Sequence, residues 1–278
     1  MINGLEVRIA ALRRSGSHAV VQWLLAQLPG RGAFLDNCAA GENPYATCYL
    51  PDSVGVGVDL AGERAAAPAP KDFLLHNYEG RDLTAVFSDA AAAAHDGWVG
   101  ASARRVDLLV LRDPWNNLAS LLRWARGDVH PIAEATVAAA ARRYRQYARE
   151  LLGETRTLRH QPVFVSFNRW VAERGYREAL AGQLGFPFTD AGIGAVARWG
   201  PTAWGDSFDG LAYDGRAGEM ALAERFRWCA GDPFYRGLFD AELVDLAERI
   251  FGVLPGTEEI AAEARARRAR RPMPSLPC

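Results

Sequence analysis

Short runs of consecutive apolar residues recur along the chain, and each is followed by a polar turn and a stretch with apolar residues at helical spacing. The main runs are residues 7–12, 72–76, 106–111 and 162–167, with a shorter one at 33–35. Aliphatic runs without alternation are typical of parallel strands that helices cover on both faces. Strands that alternate with helices imply right-handed βαβ units. The pattern therefore predicts an α/β fold of three layers, in which helices flank a central parallel sheet.

Apolar spacing and end signals predict the helices between these strands. They are expected at residues 19–28, 81–95, 114–125, 132–152, 168–184, 221–229 and 241–251. Residues 38–71 predict a long loop with short elements at most, and residues 192–218 predict a glycine-rich irregular segment. A single domain is expected over residues 1–257. Residues 258–278 are rich in Ala, Arg and Pro, which predicts a partly disordered tail.

The charge balance argues against a large electrostatic interaction surface. The 278 residues carry a formal net charge of -1, with 32 basic and 33 acidic side chains. Such a balance gives no general attraction to nucleic acid or to an anionic membrane, so any anion site must be local. Lys71 is the only lysine. A phosphate site would therefore have to be built from arginine guanidinium groups.

Signals of secretion, membrane insertion and metal binding are missing from the sequence. The N-terminal residues do not form a signal peptide, and no run approaches the ~20 apolar residues of a transmembrane helix. The four cysteines, Cys38, Cys48, Cys229 and Cys278, match no zinc-binding spacing and are expected to be free thiols. No cluster of His, Asp and Glu along the chain suggests another metal site. We expect a cytoplasmic protein that uses no metal.

Residues 13–18 (RRSGSH) form a polar turn between the first predicted strand and the first predicted helix. The backbone N–H groups at a helix N-terminus and the helix dipole together favour an anion. Gly16 would allow close approach of the backbone, Ser15 and Ser17 supply hydroxyl donors, and Arg14 supplies a charged fork. The alternative is an ordinary strand–helix turn with Ser as N-cap. A nucleotide-hydrolysing P-loop is disfavoured, because the chain lacks the first glycine and the lysine of G-x-x-x-x-G-K-[ST].

A second polar segment, residues 111–120, leaves the clearest strand and enters a helix at Pro114. Arg112 lies at the carboxyl end of the strand, the edge at which open α/β sheets bind ligands. Ser120 follows about two helical turns inside the helix, so both side chains could reach one phosphate. The alternative is that Arg112 pairs with Asp113 or another carboxylate and that Ser120 is an incidental small residue.

Taken together, the two segments resemble the sulfotransferase family that uses 3'-phosphoadenosine 5'-phosphosulfate (PAPS). In that family a K/R-[ST]-G-[ST]-[ST] turn holds the 5'-phosphosulfate, and a later R-x-P segment with a following Ser holds the 3'-phosphate. Residues 14–17 fit the first motif, and Arg112, Pro114 and Ser120 fit the second. The resemblance implies a P-loop-like, sulfotransferase-like fold. It also implies donor-binding roles for Arg13, Arg14, Ser15, Gly16, Ser17, His18, Arg112 and Ser120.

His18 departs from the family pattern, which has Ser or Thr at this place. A ring nitrogen can still donate to a phosphate oxygen, but the tautomer and charge of the ring then matter. A bacterial branch of the family, whose first loop reads RRSG-x-HA, is similar at this pair. Further segments similar to that branch are residues 34–37, 41–44, 78–79, 167–170, 176–177, 184–185 and 207–210, so the resemblance covers most of residues 5–252. It implies a bacterial-type enzyme of secondary metabolism.

The resemblance implies transfer of a sulfuryl group from PAPS to a hydroxyl of a small metabolite, phenol or sugar, leaving 3',5'-adenosine bisphosphate (PAP). Such a transfer needs an in-line nucleophile and charge stabilisation on the moving group, to which Arg14 would contribute. The acceptor hydroxyl needs a general base. Family members place a His or Glu where this chain has His76 and Glu79. Glu79 falls on the Tyr-Glu pair of the bacterial branch, His76 has the ordinary pKa closer to neutrality, and either could instead be structural.

An aromatic platform for adenine is expected in the late glycine-rich segment, at Trp204 and Phe208, although these two side chains could instead plug the core. Ser207, in the same segment, is also expected to bind the donor. Four other tryptophans lie on predicted helices and are expected in the core: Trp115, Trp124, Trp170 and Trp228. Two other functions stay open at this point. One is an atypical P-loop kinase, which would need ATP and magnesium. The other is a catalytically silent nucleotide-binding or interaction module of the same fold.

Overall fold

Six strands form one sheet in the computed structural model, which describes residues 1–127, 133–196 and 210–269. They are β1 (Asn3–Ala11), β2 (Gly32–Leu35), β3 (Val54–Val56), β4 (Lys71–Glu79), β5 (Ser102–Leu111) and β6 (Pro162–Ser166). Their order across the sheet is β3-β2-β4-β1-β5-β6. Strands β2, β4, β1, β5 and β6 are mutually parallel, and only β3, which falls in the predicted loop, pairs antiparallel. The predicted α/β fold is confirmed.

Twelve α-helices connect and cover these strands within the described residues. They are α1 (Ser17–Gln27), α2 (Pro44–Thr47), α3 (Leu60–Ala65), α4 (Leu83–Val86), α5 (Asp89–Val99), α6 (Pro114–Ala125), α7 (Glu134–Leu151), α8 (Phe167–Ala172), α9 (Arg174–Leu184), α10 (Pro233–Gly237), α11 (Ala241–Phe251) and α12 (Glu258–Ala269). Short 3-10 turns occur at Leu50–Asp52, Gly210–Tyr213, Ala217–Glu219 and Arg225–Trp228. In the part of the chain that is described, none of the helices has the length and hydropathy needed to cross a bilayer.

Two apolar cores lie on opposite faces of the sheet and make the predicted three layers. One core packs alternate strand residues, such as Val7 and Ile9, against α1, α8 and α9. The other packs the remaining strand residues, such as Leu109, against α5, α6, α7 and α11. The second core also contains Cys38, Cys48 and Cys229, which are buried free thiols, as expected. Helices on both faces explain why the strands read as unbroken aliphatic runs.

The predicted helix over residues 81–95 is divided into α4 and α5. Asp82 caps α4, because its carboxylate accepts hydrogen bonds from the first backbone N–H groups of that helix. Ser88 caps α5 in the same way through the amide of Ala91. Two N-cap residues six positions apart therefore start two short helices, since each satisfies N–H groups that a continuous helix would pair internally.

Two other predicted helices differ from the structure. The predicted helix at 168–184 is divided at Glu173, whose extended backbone separates α8 from α9. The predicted helix at 221–229 is reduced to the 3-10 turn Arg225–Trp228. These differences occur where the helical periodicity is short, so tertiary packing decides the local backbone.

Strand β4 is longer than predicted, which changes the residue at its carboxyl end. The predicted strand ended at His76, but pairing with β1 continues to Glu79, which lies opposite Ala11. His76 is therefore inside the strand, opposite Arg8. Glu79, rather than His76, stands at the edge where ligands bind in this class of sheet.

The segment after residue 257 belongs to the packed structure for most of its described length. In α12, the side chains of Ile260, Ala261 and Ala264 are buried against the domain. The boundary expected at residue 257 therefore does not end the packed structure. The apolar face of α12 accounts for the difference, because its burial stabilises a helix whose other faces are charged.

A buried polar cluster centred on Glu6 lies between the sheet and α5. One carboxylate oxygen of Glu6 accepts from Nε2 of His76 at 3.0 Å and from Nε2 of His95 at 2.5 Å. The other accepts from Ser102 Oγ at 2.5 Å and from Arg105 Nε at 2.8 Å. Burial alone raises the pKa of Glu6, but the hydrogen bonds from the two histidines outweigh burial and hold that pKa well below its usual range. Glu6 is thus an ionised carboxylate with every acceptor position in use.

Glu6, His76 and His95 also form a group that could hold a metal ion, since their ligand atoms lie within 4.8 Å of one another. The sequence does not predict this group, because its members are far apart along the chain. Four hydrogen bonds already saturate the Glu6 carboxylate, and the guanidinium of Arg105 lies against it. The arrangement is therefore a network of hydrogen bonds and ion pairs in which the Glu6 carboxylate is already fully used by protein donors.

The neutral state of His76 predicts acid sensitivity of the fold. Burial lowers the pKa of His76 from 6.5 to about 4, against the opposing effect of Glu6. As pH falls from about 6.5 to about 4, the unfolded chain takes up the proton and the folded chain does not, so the free energy of unfolding should fall by roughly 3 kcal/mol. Urea denaturation at several pH values measures this. His76→Gln, which keeps a donor near Glu6, should flatten the dependence; an equally steep slope in this variant would contradict the assignment.

Candidate active site

The turn between β1 and α1 has a left-handed backbone at two residues. Arg14 has a φ of 65° and Gly16 a φ of 90°. Gly16 occupies the N-cap of α1 and has no side chain to cap it, so the alternative of a serine N-cap does not form. The N–H groups of the first helical turn and the positive end of the helix dipole therefore lie at this turn. This end of α1 suits an anion.

Gly16 is required at this turn by a close contact with Phe167, the first residue of α8. A Cβ atom on Gly16 would lie 2.2 Å from the Phe167 ring, far inside contact distance. The positive φ of Gly16 is a second reason, because L side chains rarely adopt it. The turn is thereby fixed against the rest of the fold.

A cavity of about 320 Å³ opens beside the turn. Seven of the predicted site residues line it: Arg13, Arg14, Gly16, Ser17, His18, Glu79 and Arg112. The carboxylates of Asp36 and Asp52 and the apolar side chains of Trp124, Phe167, Trp170 and Leu222 form other parts of the wall. Trp204, Ser207 and Phe208, expected at the adenine, lie outside the described residues. The structure thus gathers the two predicted anion-binding segments around one space.

Ser15 and Ser120 are buried just behind the cavity wall. The Oγ atom of Ser15 is buried and has no hydrogen-bond partner among the described residues. Ser120 Oγ accepts from Arg112 Nη1 at 3.4 Å and from Arg225 Nη1 at 3.2 Å. Ser120 therefore sits between two guanidinium groups, both of which reach the cavity. Two adjacent cations at one hydroxyl favour an anion beside them.

Arg225 is a candidate binding residue that the sequence did not predict. It lies in the turn Arg225–Trp228, after the irregular segment, yet its side chain is buried beside Ser120 on α6. The backbone carbonyl of Leu222 accepts a hydrogen bond from Arg112 in the same region. The Arg112 guanidinium also lies over the ring of Phe167, 5.6 Å from its centroid. The segment around 222–225 therefore completes the second predicted anion site.

Asp113, which the sequence suggested as an alternative ion-pair partner of Arg112, makes other contacts in the structure. Its carboxylate caps α6 by accepting from the Asn116 amide at 2.8 Å. It also accepts from Nδ2 of Asn168 at 2.8 Å. These bonds tie the start of α6 to α8 and fix the strand end from which Arg112 projects.

Glu79 lies at the cavity wall beside the first turn of α1. Ser17 Oγ donates to Glu79 Oε1 at 3.3 Å, and Arg13 Nε lies 3.9 Å from Glu79 Oε2. Burial raises the pKa of Glu79, and the charge of Asp36 adds to this, while His18 and the arginines oppose it. A carboxyl group with a raised pKa, open to the cavity, is suited to proton transfer.

His76 is not brought to the cavity. Both ring nitrogens have protein partners, because Nε2 bonds to Glu6 and Nδ1 lies 3.0 Å from the Tyr78 hydroxyl. The side chain is completely buried, and its pKa is lowered to about 4. The expectation that His76 stands at the end of its strand is wrong, since β4 continues to Glu79. Of the two candidate bases, Glu79 lines the cavity and His76 does not.

His18 lies in the first turn of α1 and contacts Asp36 across the cavity wall. The distance from His18 Nε2 to Asp36 Oδ1 is 2.9 Å. Burial alone lowers the pKa of His18, but the hydrogen bond that its ring donates to Asp36 and the charges of Glu79 and Asp36 outweigh burial, so the pKa is raised. A protonated ring would add a positive charge to the turn.

The tryptophans expected in the core are not all there. Trp115 and Trp170 are buried, and Trp170 stacks on Phe167 with centroids 5.6 Å apart. Trp124 instead lines the cavity, where the Arg13 guanidinium lies 5.8 Å from its ring centroid. Trp228 is 47% exposed. Aromatic side chains thus meet the cavity from α6 and α8.

Comparison of the sequence with protein-family models and with curated proteins finds no match. Solved structures do match. The sulfotransferase domain of the Synechococcus PCC 7002 olefin synthase is 15% identical, with 92% of this chain and 98% of that chain covered and a TM-score of 0.54. The sulfotransferase domain from the curacin biosynthetic pathway is 14% identical, with coverage of 90% and 98% and a TM-score of 0.47. Mouse sulfotransferase SULT7A1, complexed with PAP, is 9% identical, with coverage of 66% and 60% and a TM-score of 0.42.

The likeness to the olefin synthase domain extends over nearly the whole of both chains. The chain has the sulfotransferase fold. Within this sulfotransferase fold, the turn at residues 13–17 follows β1, and Arg112 follows β5, on the same edge of the sheet. The fold therefore places both candidate anion sites where parallel sheets bind ligands.

The close contact of Gly16 with Phe167 makes a stability prediction for this turn. Gly16→Ala should lower the free energy of unfolding by roughly 2–4 kcal/mol, because it adds a left-handed backbone penalty to an overpacked contact. Gly97→Ala is the matched control, since a Cβ there has nothing within 4 Å and lies inside α5. That control should raise stability by about 0.5–1 kcal/mol. Equal effects of the two substitutions in urea denaturation would refute the argument.

Proposed function

We propose that the chain is a sulfotransferase that moves a sulfuryl group from PAPS to an acceptor hydroxyl. The observation that carries the proposal is the pair of arginine-containing anion sites that open on one cavity, at the carboxyl edge of a sulfotransferase fold. PAPS carries anionic groups at both ends of its ribose, a phosphosulfate at 5' and a phosphate at 3'. Two separate anion sites match this chemistry, whereas a ligand with one anionic end would use only one.

The residues of the turn between β1 and α1 fit the phosphosulfate end. Gly16 leaves the backbone open, and the first N–H groups of α1 are available as donors. The buried Ser15 hydroxyl, which has no protein partner among the described residues, is a further donor at this place. Arg14 lines the cavity beside it. We infer that these groups bind the 5'-phosphosulfate and stabilise the charge that its oxygens develop during transfer.

Arg112, Ser120 and Arg225 fit the 3'-phosphate. Their side chains converge within hydrogen-bonding distance, and both guanidinium groups reach the cavity. Guanidinium forks bind phosphate oxygens with directional, charge-assisted bonds, which suits a site that anchors a nucleotide. Apolar walls at Phe167 and Trp170 offer a surface for the adenosine.

Glu79 is the proposed general base. PAPS, when bound, supplies the activated sulfuryl group, and the protein has to position an acceptor hydroxyl in line with it. Glu79 would accept the hydroxyl proton on a carboxylate oxygen as the acceptor oxygen attacks sulfur. Ser17 and Arg13 hold the carboxylate in place through its two oxygens. An acceptor of small-molecule size, such as a phenol, a sugar or another hydroxylated metabolite, suits a cavity of about 320 Å³.

Removal of Arg112 tests the nucleotide site. Arg112→Ala should weaken PAP binding by roughly 10–100-fold, because a buried charge-assisted contact is lost. Isothermal titration calorimetry with PAP, with and without magnesium, measures this. Arg174→Ala is the control, since Arg174 is 68% exposed on α9, away from the cavity. Binding of ATP with magnesium in place of PAP would favour a kinase and overturn the proposal.

Removal of the Glu79 carboxylate tests the base. Glu79→Gln should lower turnover by roughly 10²–10⁴-fold while PAP affinity stays within about threefold, because only proton transfer is lost. Burial raises the pKa of Glu79, so the rate of the wild-type enzyme should rise as pH passes upward through that pKa, and Glu79→Gln should remove this rise. PAP release from PAPS with a panel of phenols, sugars and hydroxylated metabolites is the assay. Glu178→Gln, on the exposed face of α9, is the control, and full activity of Glu79→Gln would exclude Glu79.

A further inference from the structure

Asp36 is held rigidly at the end of β2 by bonds to both its side chain and its backbone. Its Oδ1 atom accepts from Nδ2 of Asn77 at 3.1 Å as well as facing His18 Nε2 at 2.9 Å. Its backbone amide donates to Ser53 Oγ at 2.9 Å, and its carbonyl oxygen accepts from the Tyr49 amide at 2.7 Å. The side chain is only 4% exposed. These bonds fix the position of the Asp36 carboxylate, so its negative charge stays at a constant distance from the His18 ring.

His18 occupies a place where a positive charge needs compensation. It lies in the first turn of α1, and the positive end of the helix dipole there disfavours a cation. Arg14, on the turn before α1, adds to this repulsion. Asp36 after the end of β2, Glu79 on β4 and Asp52 in the turn Leu50–Asp52 supply the opposing negative charges. The ring of Phe34 lies edge-on to the His18 ring, with the ring centroids 6.4 Å apart.

We propose that Asp36 is a positioning residue for the transfer: it holds the His18 ring at the cavity wall in its cationic form, so that the turn carries a positive charge additional to those of Arg13 and Arg14. His18 is the residue of this pair that would touch the donor, and Asp36 acts only through it. This inference rests on the proposed function, because the additional charge has a use only if an anionic donor binds at the turn.

In this role, no proton has to move between His18 and Asp36 during the reaction. With His18 protonated, Nε2–H donates to Asp36, which fixes the orientation of the ring, and the positive charge is shared by both ring nitrogens. That charge attracts the oxygens of the phosphosulfate and stabilises negative charge on them as the bond from sulfur to the leaving phosphate oxygen breaks. The raised pKa of His18 agrees with this role, since it keeps the ring charged to higher pH.

The direct test is the titration of His18 in the free protein. NMR of ring signals in the wild type, with His18→Ser to assign the missing signal among five histidines, gives the pKa of His18. We expect it above the ordinary value of about 6.5, and expect Asp36→Asn to lower it. Asp52→Asn is the matched control, because it removes a cavity carboxylate that has no direct bond to His18, and its effect should be smaller. A wild-type pKa at or below 6.5 overturns the inference without any variant of Asp36.

A double-mutant cycle separates this role from a structural one. At a pH just below the pKa measured for His18 in the wild type, Asp36→Asn should weaken PAP binding by roughly tenfold, and the loss of affinity as pH rises should begin at lower pH than in the wild type. In a His18→Ser background the same change should alter PAP affinity by less than about twofold, because no ring remains to be charged. Equal losses in both backgrounds would show that Asp36 is merely structural. Absence of PAP binding in the wild type would instead refute the proposed function, and the His18 titration would still decide the Asp36–His18 pairing.

Discussion

The packing of the Phe167 ring against Gly16 is the contact on which the arrangement of the site depends. The ring leaves no space for a side chain at Gly16, so the turn before α1 can form only with glycine there. The same ring lies under the Arg112 guanidinium and stacks on Trp170. One aromatic side chain at the end of β6 thus sets the separation between the two candidate anion-binding segments. Because aromatic rings in a packed core are nearly incompressible, this separation is fixed before any ligand binds.

The buried polar residues at the two ends of the sheet differ in how many of their hydrogen-bonding positions are already used by other protein groups. Beneath the sheet, the carboxylate of Glu6 uses all its acceptor positions on protein donors, so this cluster has little left to offer a ligand. At the carboxyl edge, the Ser15 hydroxyl lacks a partner among the described residues, and the guanidinium groups of Arg112 and Arg225 meet at one hydroxyl. A carboxylate saturated by protein donors in one place, and two converging cations near a buried hydroxyl in the other, are what a rigid scaffold with an anion-binding edge requires.

The sequence predicted the five parallel strands, most of the longer helices and the two polar segments that meet at the cavity, because these depend on local signals: unbroken aliphatic runs and the residues that follow them. It could not predict the true end of β4, since Asn77 and Glu79 read as turn residues and extend the strand only through pairing with β1. The place of Arg225 beside Ser120 could not be predicted from the sequence either. It lies 105 positions after Ser120 and reaches it only through tertiary packing of a short 3-10 turn.

The acidic side chains of the cavity explain how a nearly neutral chain could hold the highly charged donor that we propose. Asp36, Asp52 and Glu79 line the same space as the arginines of the turn. Their charges keep the free site close to neutral, so the arginines do not repel one another when no ligand is bound. The charges also lie on different sides of the cavity. The carboxylates come from the end of β2, the turn Leu50–Asp52 and β4, whereas Arg112 follows β5 and Arg225 lies in the turn Arg225–Trp228. In the proposed reaction, the anionic donor would be drawn to the arginine side, which would leave the carboxylate side for a neutral hydroxyl and its proton.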